Sequence, residues 1–415
     1  MTETVASTPD VAVQPAPHGT FPPVRRCPVA APEEYAELRE QGPMVKVTTI
    51  AGESVWWATT HAAARAVFAD TRFSSDRTRD GFPLFMADPR VRENIRSQPP
   101  IIMIGMDGAN HSRTRRSAIG EFTVKRLAGL RPRIQQIVDE SIDAMLARED
   151  RPVDLVQALS LPVPSLVICE MLGVPYADHD FFQERSSHML RRSTDATHRQ
   201  ALVAEMREYL GELVDAKTAQ PADDLISRQI QKQREAGEID RDELVGMSFL
   251  LLIAGHETTA NMISLGTIGF LENPEQLAAI KADPAKIPMA VEEMLRYFSI
   301  ADAVPRVAAQ DVEICGVTVR AGEGVIASTM AGNWDSGTFA DADELNIERG
   351  TRHHVAFGYG PHQCLGQNLA RQELEIVYET LFRRIPNLRL AASLDEISFK
   401  DDGLVYGAYQ LPVTW

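Results

Sequence analysis

The sequence predicts a mainly α-helical fold with a small β-rich lobe. Residues 126–218 contain four successive amphipathic segments with helical spacing of apolar residues, and prolines separate them. An unbroken helical pattern then runs from Asp240 to Asn273, about 33 residues or about 50 Å long. By contrast, residues 44–60 alternate around Ala51-Gly52-Glu53, which is typical of a β-hairpin. A helix of that length has to cross the whole molecule.

The other elements follow in chain order. His61 to Ala69 has a helical pattern, whereas Arg77 to Met106 is apolar, rich in proline and irregular. Long irregular loops are uncommon unless they are functional. The four amphipathic helices are predicted at Arg126 to Leu146, Leu159 to Leu172, Ala177 to Leu190 and Gln200 to Thr218. Residues 1–20 are polar and rich in Pro, Thr and Ala, which predicts a disordered tail.

Composition excludes several classes of function. The 415 residues carry a formal net charge of −16, which disfavours nucleic acid and anionic membranes as partners. Four cysteines without a C-x-x-C pair indicate a reducing compartment, and the start of the chain lacks the pattern of a signal peptide. The longest apolar run, Met247 to Ala254, is too short for a membrane helix. We therefore expect a cytoplasmic protein that binds neither nucleic acid nor membranes.

One glycine-rich stretch precedes the last strong helix. Residues 357–366 read F-G-Y-G-P-H-Q-C-L-G, and the helical pattern begins at Gln367. Cys364 therefore stands at a helix N-terminus, where the dipole and free N–H groups favour a thiolate. Gly358 and Gly360 let such a loop lie flat against a bulky group. The alternative is an ordinary buried free cysteine in a turn.

This pattern, F-G-x-G-x-H-x-C-x-G, resembles the haem-binding loop of the cytochrome P450 family, and the chain is most similar to its soluble, ferredoxin-fed bacterial branch. The resemblance implies that the Cys364 thiolate is the proximal ligand of the iron in haem b (heme b, iron protoporphyrin IX). It also implies a cytochrome P450 fold, with one domain over residues 21–415. Its β-rich lobe would come mostly from 43–60 and 304–330.

Four further residues match donors to the haem propionates in the family. His111 and Arg115, in H-S-R-T-R-R, lie four residues apart and so on one helical face. Arg306 follows Val304-Pro305, and His362 stands two residues before Cys364. The four residues before His111 are Asp-Gly-Ala-Asn, where the family usually has D-P-P-E. Without the resemblance, a solvated basic face would be the simpler interpretation of His111 and Arg115.

The middle of the long helix carries A-G-H-E-T-T at 254–259, which matches the family's oxygen-activation motif. Gly255 would permit a local opening of the helix. The resemblance implies that Glu257 and Thr258 deliver protons for oxygen cleavage. The alternative is that the Thr258 hydroxyl only bonds the carbonyl of Ala254 and shapes the helix.

A structural ion-pair network is also implied. Glu293 and Arg296 in E-M-L-R match the family's buried E-x-x-R pair, and Arg349 matches the later arginine that joins it. Their role would be to hold the cysteine loop. The segment Asn333-Trp334-Asp335 departs from the usual N-R-D, which puts a local salt bridge in doubt.

The implied activity is that of a haem-thiolate monooxygenase, which inserts one atom of O₂ into a C–H bond of a sizeable hydrophobic molecule. Secondary metabolites, secosteroids, macrolides and xenobiotics are the substrate classes of similar proteins. Electrons would come from an iron–sulfur ferredoxin and its ferredoxin reductase, and we expect a monomer. The ferredoxin would dock on Arg113, Arg116, Lys125 and Arg126. The substrate pocket is predicted at Phe82, Ile102, Leu251, Ala254, Val304 and Val405.

Two other classes of function compete with this interpretation. A zinc site has suitable donors in His353, His354, His362 and Cys364, but it leaves the motif at 254–259 unexplained. A non-catalytic haem-thiolate sensor would keep Cys364 and would not need Glu257 or Thr258. The acid–alcohol pair therefore favours oxygen-dependent catalysis.

Overall fold

The computed structural model describes residues 21–23, 25–86, 88–97 and 102–415, so the predicted tail at 1–20 lies outside the described residues. Helices dominate the described part of the chain. Fifteen α-helices are present there: α1 Glu34–Gln41, α2 His61–Ala69, α3 Pro89–Ser97, α4 Gly108–Ile119, α5 Val124–Ala128, α6 Arg131–Leu146, α7 Pro162–Leu172, α8 His179–Met189, α9 Ala196–Ala219, α10 Leu225–Ala236, α11 Arg241–Glu272, α12 Pro274–Ala282, α13 Ile287–Phe298, α14 Thr329–Asn333 and α15 Gln367–Arg384.

The strands form three small sheets. They are β1 Met44–Thr48, β2 Ser54–Ala58, β3 Phe73–Ser74, β4 Val153–Asp154, β5 Ala303–Ala308, β6 Val312–Ile314, β7 Val317–Val319, β8 Gly324–Ser328, β9 Arg389–Leu390 and β10 Pro412–Thr414. The largest sheet has the order β1-β2-β8-β5-β3, and β2 pairs with β8 in parallel. The predicted hairpin is β1–β2, in which Met44 faces Ala58.

Helix α11 organises the core. Its 32 residues begin after Asp240, whose side chain accepts a hydrogen bond from the N–H of Glu243. Most of its residues from Leu244 onwards are buried, and it packs against α7, α9, α13 and α15. The predicted long helix is confirmed within one residue at each end. No helix in the described part of the chain is long and apolar enough to cross a membrane.

Local capping moved several predicted boundaries. The helix expected from Arg126 is divided, because Thr123 caps α5 and that helix ends at Gly129, before α6 begins. The helix expected from Leu159 begins at Pro162, after a π-helical turn over Val156–Ser160. The segment expected to be irregular contains α3, and its residues 98–101 lie outside the described part.

Candidate active site

The Cys364 loop is fixed by its own backbone. The N–H of Cys364 donates to the carbonyl oxygen of Phe357 at 2.9 Å, and Gly358 N–H donates to Val355 at 2.8 Å. Gly358 and Gly360 have φ values of 68° and 72°, in the left-handed region that favours glycine. A Cβ on Gly360 would also lie 2.6 Å from the carbonyl oxygen of Phe68. The loop conformation therefore depends on glycine at 360 for two separate reasons.

The pKa of the Cys364 thiol is shifted in the opposite direction from the prediction. Desolvation by the surrounding protein raises the pKa of the thiol. Backbone N–H groups of Gly366 and Gln367 and the guanidinium groups of Arg115 and Arg371 act in the opposite direction, as expected for a helix N-terminus, but they do not outweigh it. The net effect of the protein is therefore to raise this pKa, not to lower it.

Four basic side chains meet beside this loop. His111 is 3% exposed, its Nε2 has no hydrogen-bond partner, and its ring centroid lies 4.0 Å from that of His362. Arg115 donates from Nη2 to the carbonyl oxygen of Gln363 at 2.6 Å. Burial lowers the pKa of Arg306 to about 10; burial, with repulsion from Arg306, His111 and Arg115, lowers that of His362 to about 3. Such a cluster is suited to bind an anion.

Glu257 and Thr258 of helix α11 differ in their surroundings. Thr258 Oγ1 donates to the carbonyl oxygen of Ala254 at 2.7 Å, so the contact of the structural alternative is present. Glu257 is 3% exposed. The predicted opening at Gly255 is not seen, because the helix is continuous from Arg241 to Glu272. A Cβ on Gly255 would lie 3.0 Å from the side chain of Ile168, so this glycine gives room to α7.

Glu257 has a cationic partner that the sequence did not reveal. The ammonium group of Lys400 donates to Glu257 Oε1 and, at 2.8 Å, to Asn261 Oδ1. Glu257 and Lys400 also form part of the wall of a cavity of about 490 Å³, with polar residues of α8 such as Gln183 and Ser187. The carboxylate therefore stands between the interior face of α11 and a polar cavity.

The predicted ion-pair network assembles around Glu293. Arg296 donates from Nε and Nη2 to both carboxylate oxygens at 2.8 Å, and Arg349 Nε lies 3.2 Å from Glu293 Oε1. Arg296 Nη1 also donates to the carbonyl oxygen of Asn333 at 2.8 Å, and Asn333 Oδ1 accepts from Val355 N at 2.8 Å. The network thus reaches Val355, two residues before the cysteine loop, whose carbonyl oxygen accepts from Gly358 N–H. Trp334, which stands where the family usually has arginine, donates instead to Tyr297.

The side chains proposed for a zinc site do not converge. His354 bonds Glu292 at 2.9 Å, His353 stacks on Phe339, and His362 lies against His111. In the described part of the chain, no group of three or more His, Cys, Asp or Glu residues is arranged to hold a metal ion. The alternative interpretation, a zinc site built from these residues, is therefore wrong.

Comparison with known proteins decides the family. The cytochrome P450 family model matches residues 181–386. Pentalenic acid synthase of Streptomyces avermitilis is 51% identical over 395 residues, which cover 95% of this chain and 97% of the relative. Vitamin D3 dihydroxylase of Streptomyces griseolus is 46% identical over 417 residues and covers 100% of both chains. The crystal structure of cytochrome P450 MoxA from Nonomuraea recticatena has a TM-score of 0.89 at 59% identity, covering 95% of this chain and 98% of that one.

The chain belongs to the cytochrome P450 family. It is a P450 monooxygenase with the P450 fold, and its cofactor is haem b. The described residues fit that group on grounds of their own. His111 Nε2 is a buried donor or acceptor without a partner, beside two arginines and a second histidine, as two carboxylates of a ligand would require. Cys364 lies beside this cluster, because Arg115 donates to the carbonyl oxygen of the preceding residue, Gln363.

The six predicted pocket residues of this P450 differ in exposure. Ala254 is exposed, Ile102, Val304 and Val405 are half-buried, and Phe82 and Leu251 are buried. Phe82 packs with Leu84 and Val307. Sequence reasoning missed Lys400 altogether. It lies 143 residues from Glu257 in a turn without any motif, so no sequence signal indicated it.

Proposed function

We propose that this P450 hydroxylates a sizeable hydrophobic small molecule, inserting one atom of O₂ into a C–H bond with electrons from a ferredoxin. One domain, residues 21–415, would carry the activity, as a cytoplasmic monomer. The main support is that Cys364 and the four basic side chains lie together at the cysteine loop, while α11 carries Glu257 and Thr258. Haem b, when bound through Cys364, supplies the activation of oxygen; the protein binds, orients and delivers protons.

The first experiment tests the thiolate ligand. Cys364→Ser removes the sulfur donor, so the reduced protein with carbon monoxide should lose its strongly red-shifted absorption band and its activity. Cys315→Ser is the matched control, because Cys315 is also an exposed free cysteine. It should keep both. A red-shifted band in Cys364→Ser would contradict the proposed function.

Protons would reach the active site through Glu257. The carboxylate borders the polar cavity of about 490 Å³, and Lys400 holds its Oε1. Exchange of the Lys400 hydrogen bond for one to water would let Glu257 take a proton from the cavity side and release it on the side of Thr258. Thr258 would then position the proton acceptor with its hydroxyl group. A role in proton transfer would account for the buried ion pair between Glu257 and Lys400, which a purely structural helix would not need.

The substrate class rests on the apolar character of the proposed pocket residues. Phe82, Ile102, Leu251, Ala254, Val304 and Val405 present no charged group, which suits a hydrophobic ligand. The names of two relatives refer to pentalenic acid and to vitamin D3, a terpenoid and a secosteroid. A panel of such compounds, titrated into the oxidised protein, should include some that displace the iron's water ligand and shift the absorption spectrum. A panel without any shift would count against this class.

Ferredoxin would dock on the face formed by α4 and α5. This face adjoins the cysteine loop, because Arg115 of α4 bonds Gln363 and Gln372 of α15 bonds Leu127. Its surface combines cations with two exposed apolar side chains: Arg116, Lys125, Ile119 and Val124. Arg113 and Arg126 are partly neutralised by Glu243 and Glu121. An acidic partner is suited to such a patch on a chain with a charge of −16.

Charge reversal tests this docking face. Arg116→Glu with Lys125→Glu should slow reduction by ferredoxin about tenfold at low salt and weaken its salt dependence. The control, Arg148→Glu with Arg151→Glu, places the same charge change near the end of α6, away from this helix pair. An unchanged reduction rate in the first variant would place the docking face elsewhere.

A further inference from the structure

A second, smaller cavity of about 90 Å³ lies where five parts of the chain meet. Its wall takes residues from 22–23 and 25–35, from Phe85, from the connection between α8 and α9, from 300–303 and from 400–406. Arg25, Arg192 and Tyr406 contribute polar side chains to its wall, and Phe85, Ala303 and Leu404 contribute apolar ones. The cavity is therefore amphipathic, with basic and phenolic groups gathered in one small space.

Three buried polar atoms around this cavity lack hydrogen-bond partners: Arg25 Nη1, Arg192 Nε and Tyr406 Oη. Arg25 uses Nη2 to donate to the carbonyl oxygen of Phe298 at 2.9 Å, and Arg192 uses Nη1 to donate to that of Asp401 at 3.3 Å. An unsatisfied buried donor is costly, and more so when it belongs to a charged group. Three such atoms at one cavity indicate a missing acceptor.

The neighbouring carboxylates do not supply that acceptor. Asp302 already accepts from Ser328 Oγ at 2.6 Å, from Met330 N at 3.0 Å and from the hydroxyl of Tyr35. Asp401 offers Arg192 its backbone oxygen, and burial raises the pKa of its carboxyl group despite the attraction of Arg25 and Arg192. In formal charge the two arginines cancel the two aspartates, and Lys400, which also lines the cavity, is paired with Glu257. Unpaired N–H and O–H groups, not net charge, therefore select the ligand.

Three residues of the cavity wall stand close in sequence to proposed pocket residues. Ala303 and Leu404 precede Val304 and Val405, and Phe85 follows Phe82 by three residues. On the outer side, Arg192 N donates to Asp402 O at 2.7 Å and Leu404 N donates to Leu190 O at 2.9 Å. These two bonds join the α8–α9 connection to the 400–406 turn, and both segments contribute to the cavity wall.

We infer that this cavity binds a carboxylate carried at one end of an otherwise apolar substrate. Guanidinium groups bind carboxylates through charge-assisted hydrogen bonds, and the Tyr406 hydroxyl adds a third donor. A space of about 90 Å³ is enough for a carboxylate, because a water molecule occupies about 30 Å³ in the liquid. This inference rests on the proposed function and narrows its substrate class to hydrophobic acids.

The experiment measures the preference for an acid over its own ester. A panel of apolar carboxylic acids, including dodecanoic acid and a diterpenoid and a steroid acid, is titrated into the oxidised haem protein at pH 7.5 beside the matching methyl esters. The absorption shift gives each dissociation constant. For pairs that bind, the wild type should favour the acid by about tenfold. Arg192→Met should abolish that preference and leave the ester's affinity unchanged.

Two further variants keep the outcome specific to the cavity. Tyr406→Phe removes only the unpaired hydroxyl and should reduce the preference by about threefold, in line with one neutral hydrogen bond. Arg148→Met removes an arginine that pairs with the exposed Asp150 and should change nothing. No acid preference anywhere in the panel, or equal preference in wild type and Arg192→Met, would overturn the inference. The carbon monoxide band and binding of the neutral esters report the proposed function separately.

Discussion

Glu293 and Glu257 are both buried carboxylates on helices, 1% and 3% exposed, and each faces a cation. Their surroundings nevertheless differ. Glu293 accepts from Arg296 twice, from Arg349 and from the N–H of Asn346 at 2.9 Å. Arg296 in turn donates to the carbonyl oxygens of Asn333, Ala342 and Glu344. Every polar atom of that network is occupied by protein.

Glu257 has one strong partner, Lys400, and borders a polar cavity. Asn261, which also accepts from Lys400, keeps an unpaired Nδ2. A carboxylate held by several donors suits a structural role, whereas one with a single partner beside a polar cavity has room to exchange partners. On this reasoning, Glu293 is suited to act as a brace and Glu257 as a mobile group, although both are buried to a similar degree.

The largest expected effect separates these two sites by stability. Arg296→Met leaves Glu293 without its main partner, so the free energy of unfolding should fall by about 3–5 kcal/mol. Lys400→Met should lower it by only about 1–3 kcal/mol, because water in the adjoining cavity can solvate Glu257. Denaturant unfolding of the haem protein, followed by circular dichroism and haem absorbance, measures both values.

Arg296→Lys serves if Arg296→Met does not fold, since it keeps the charge and loses the two-pronged contact with Glu293. It should still destabilise the protein more than Lys400→Met does. Equal losses at both sites would mean that the Glu257 pair is as structural as the Glu293 network, and the distinction between brace and mobile group would be lost.

The second prediction concerns how stability depends on pH through Glu292, the residue next to Glu293. Burial raises the pKa of Glu292, but its hydrogen bonds to His354 and Arg371 outweigh that effect and bring it to about 2, below the ordinary 4.5. As pH falls, the unfolded chain therefore takes up this proton first. The stability that Glu292 contributes is complete above pH 4.5 and is lost as pH falls towards 2.

Glu292→Gln should therefore flatten the decline in the free energy of unfolding between pH 4.5 and 2, by about 2–3 kcal/mol over the window. Denaturant unfolding at several pH values in that range measures the slope. The control is Glu348→Gln, since the Glu348 side chain is 55% exposed and pairs with Lys286 at the surface. If both variants keep the wild-type slope, the bonds from His354 and Arg371 to Glu292 do not control acid stability.

The two regions also differ in how well the sequence predicted them. Cys364, Glu293 and Arg296 stand in short motifs whose spacing is set by one loop or one helical turn, so a local pattern was sufficient. Lys400 reaches Glu257 across 143 residues, and Arg192 meets Asp402 from still farther along the chain, through contacts that no local pattern encodes. Helix positions were predictable from apolar periodicity, but their ends moved with caps such as Thr123. The net direction of the Cys364 pKa was missed because desolvation of the thiol depends on how the whole fold surrounds it.

The third prediction concerns the contribution of Glu257 to the rate of turnover. Glu257→Gln keeps the size and most of the packing of the side chain but cannot carry a proton, so turnover should fall about 10-fold to 100-fold. Substrate binding, read from the absorption shift, should stay near normal. Asn261→Ala is the control, because it removes the second acceptor of Lys400 and leaves the carboxylate in place. Wild-type turnover in Glu257→Gln would exclude this carboxylate from the proton path.

The smallest expected effect concerns how electrons are partitioned at Thr258. Its hydroxyl donates to Ala254 O at 2.7 Å, which by itself would only shape the helix, while its oxygen can still accept a hydrogen bond on the open side. If Thr258 also positions protons, Thr258→Ala should leave substrate binding and the rate of reduction near wild-type values. It should divert about half of the electrons to hydrogen peroxide, which is a change in relative barrier of about 1.3 kcal/mol if about nine-tenths of the wild-type electrons reach product.

Product formed and peroxide released, each per electron consumed, measure that partition. Thr258→Ser keeps the hydroxyl and should remain mostly coupled, whereas Thr258→Val keeps the shape and should uncouple like Thr258→Ala. The helix-shaping role predicts a different result, because it acts through the bond from the Thr258 hydroxyl to Ala254 O. Under that role, Thr258→Ala and Thr258→Val would both lose stability, and their turnover would stay coupled. Coupled turnover in Thr258→Ala and Thr258→Val would therefore make this threonine a helix residue only, and the proton path would have to run from Glu257 without it.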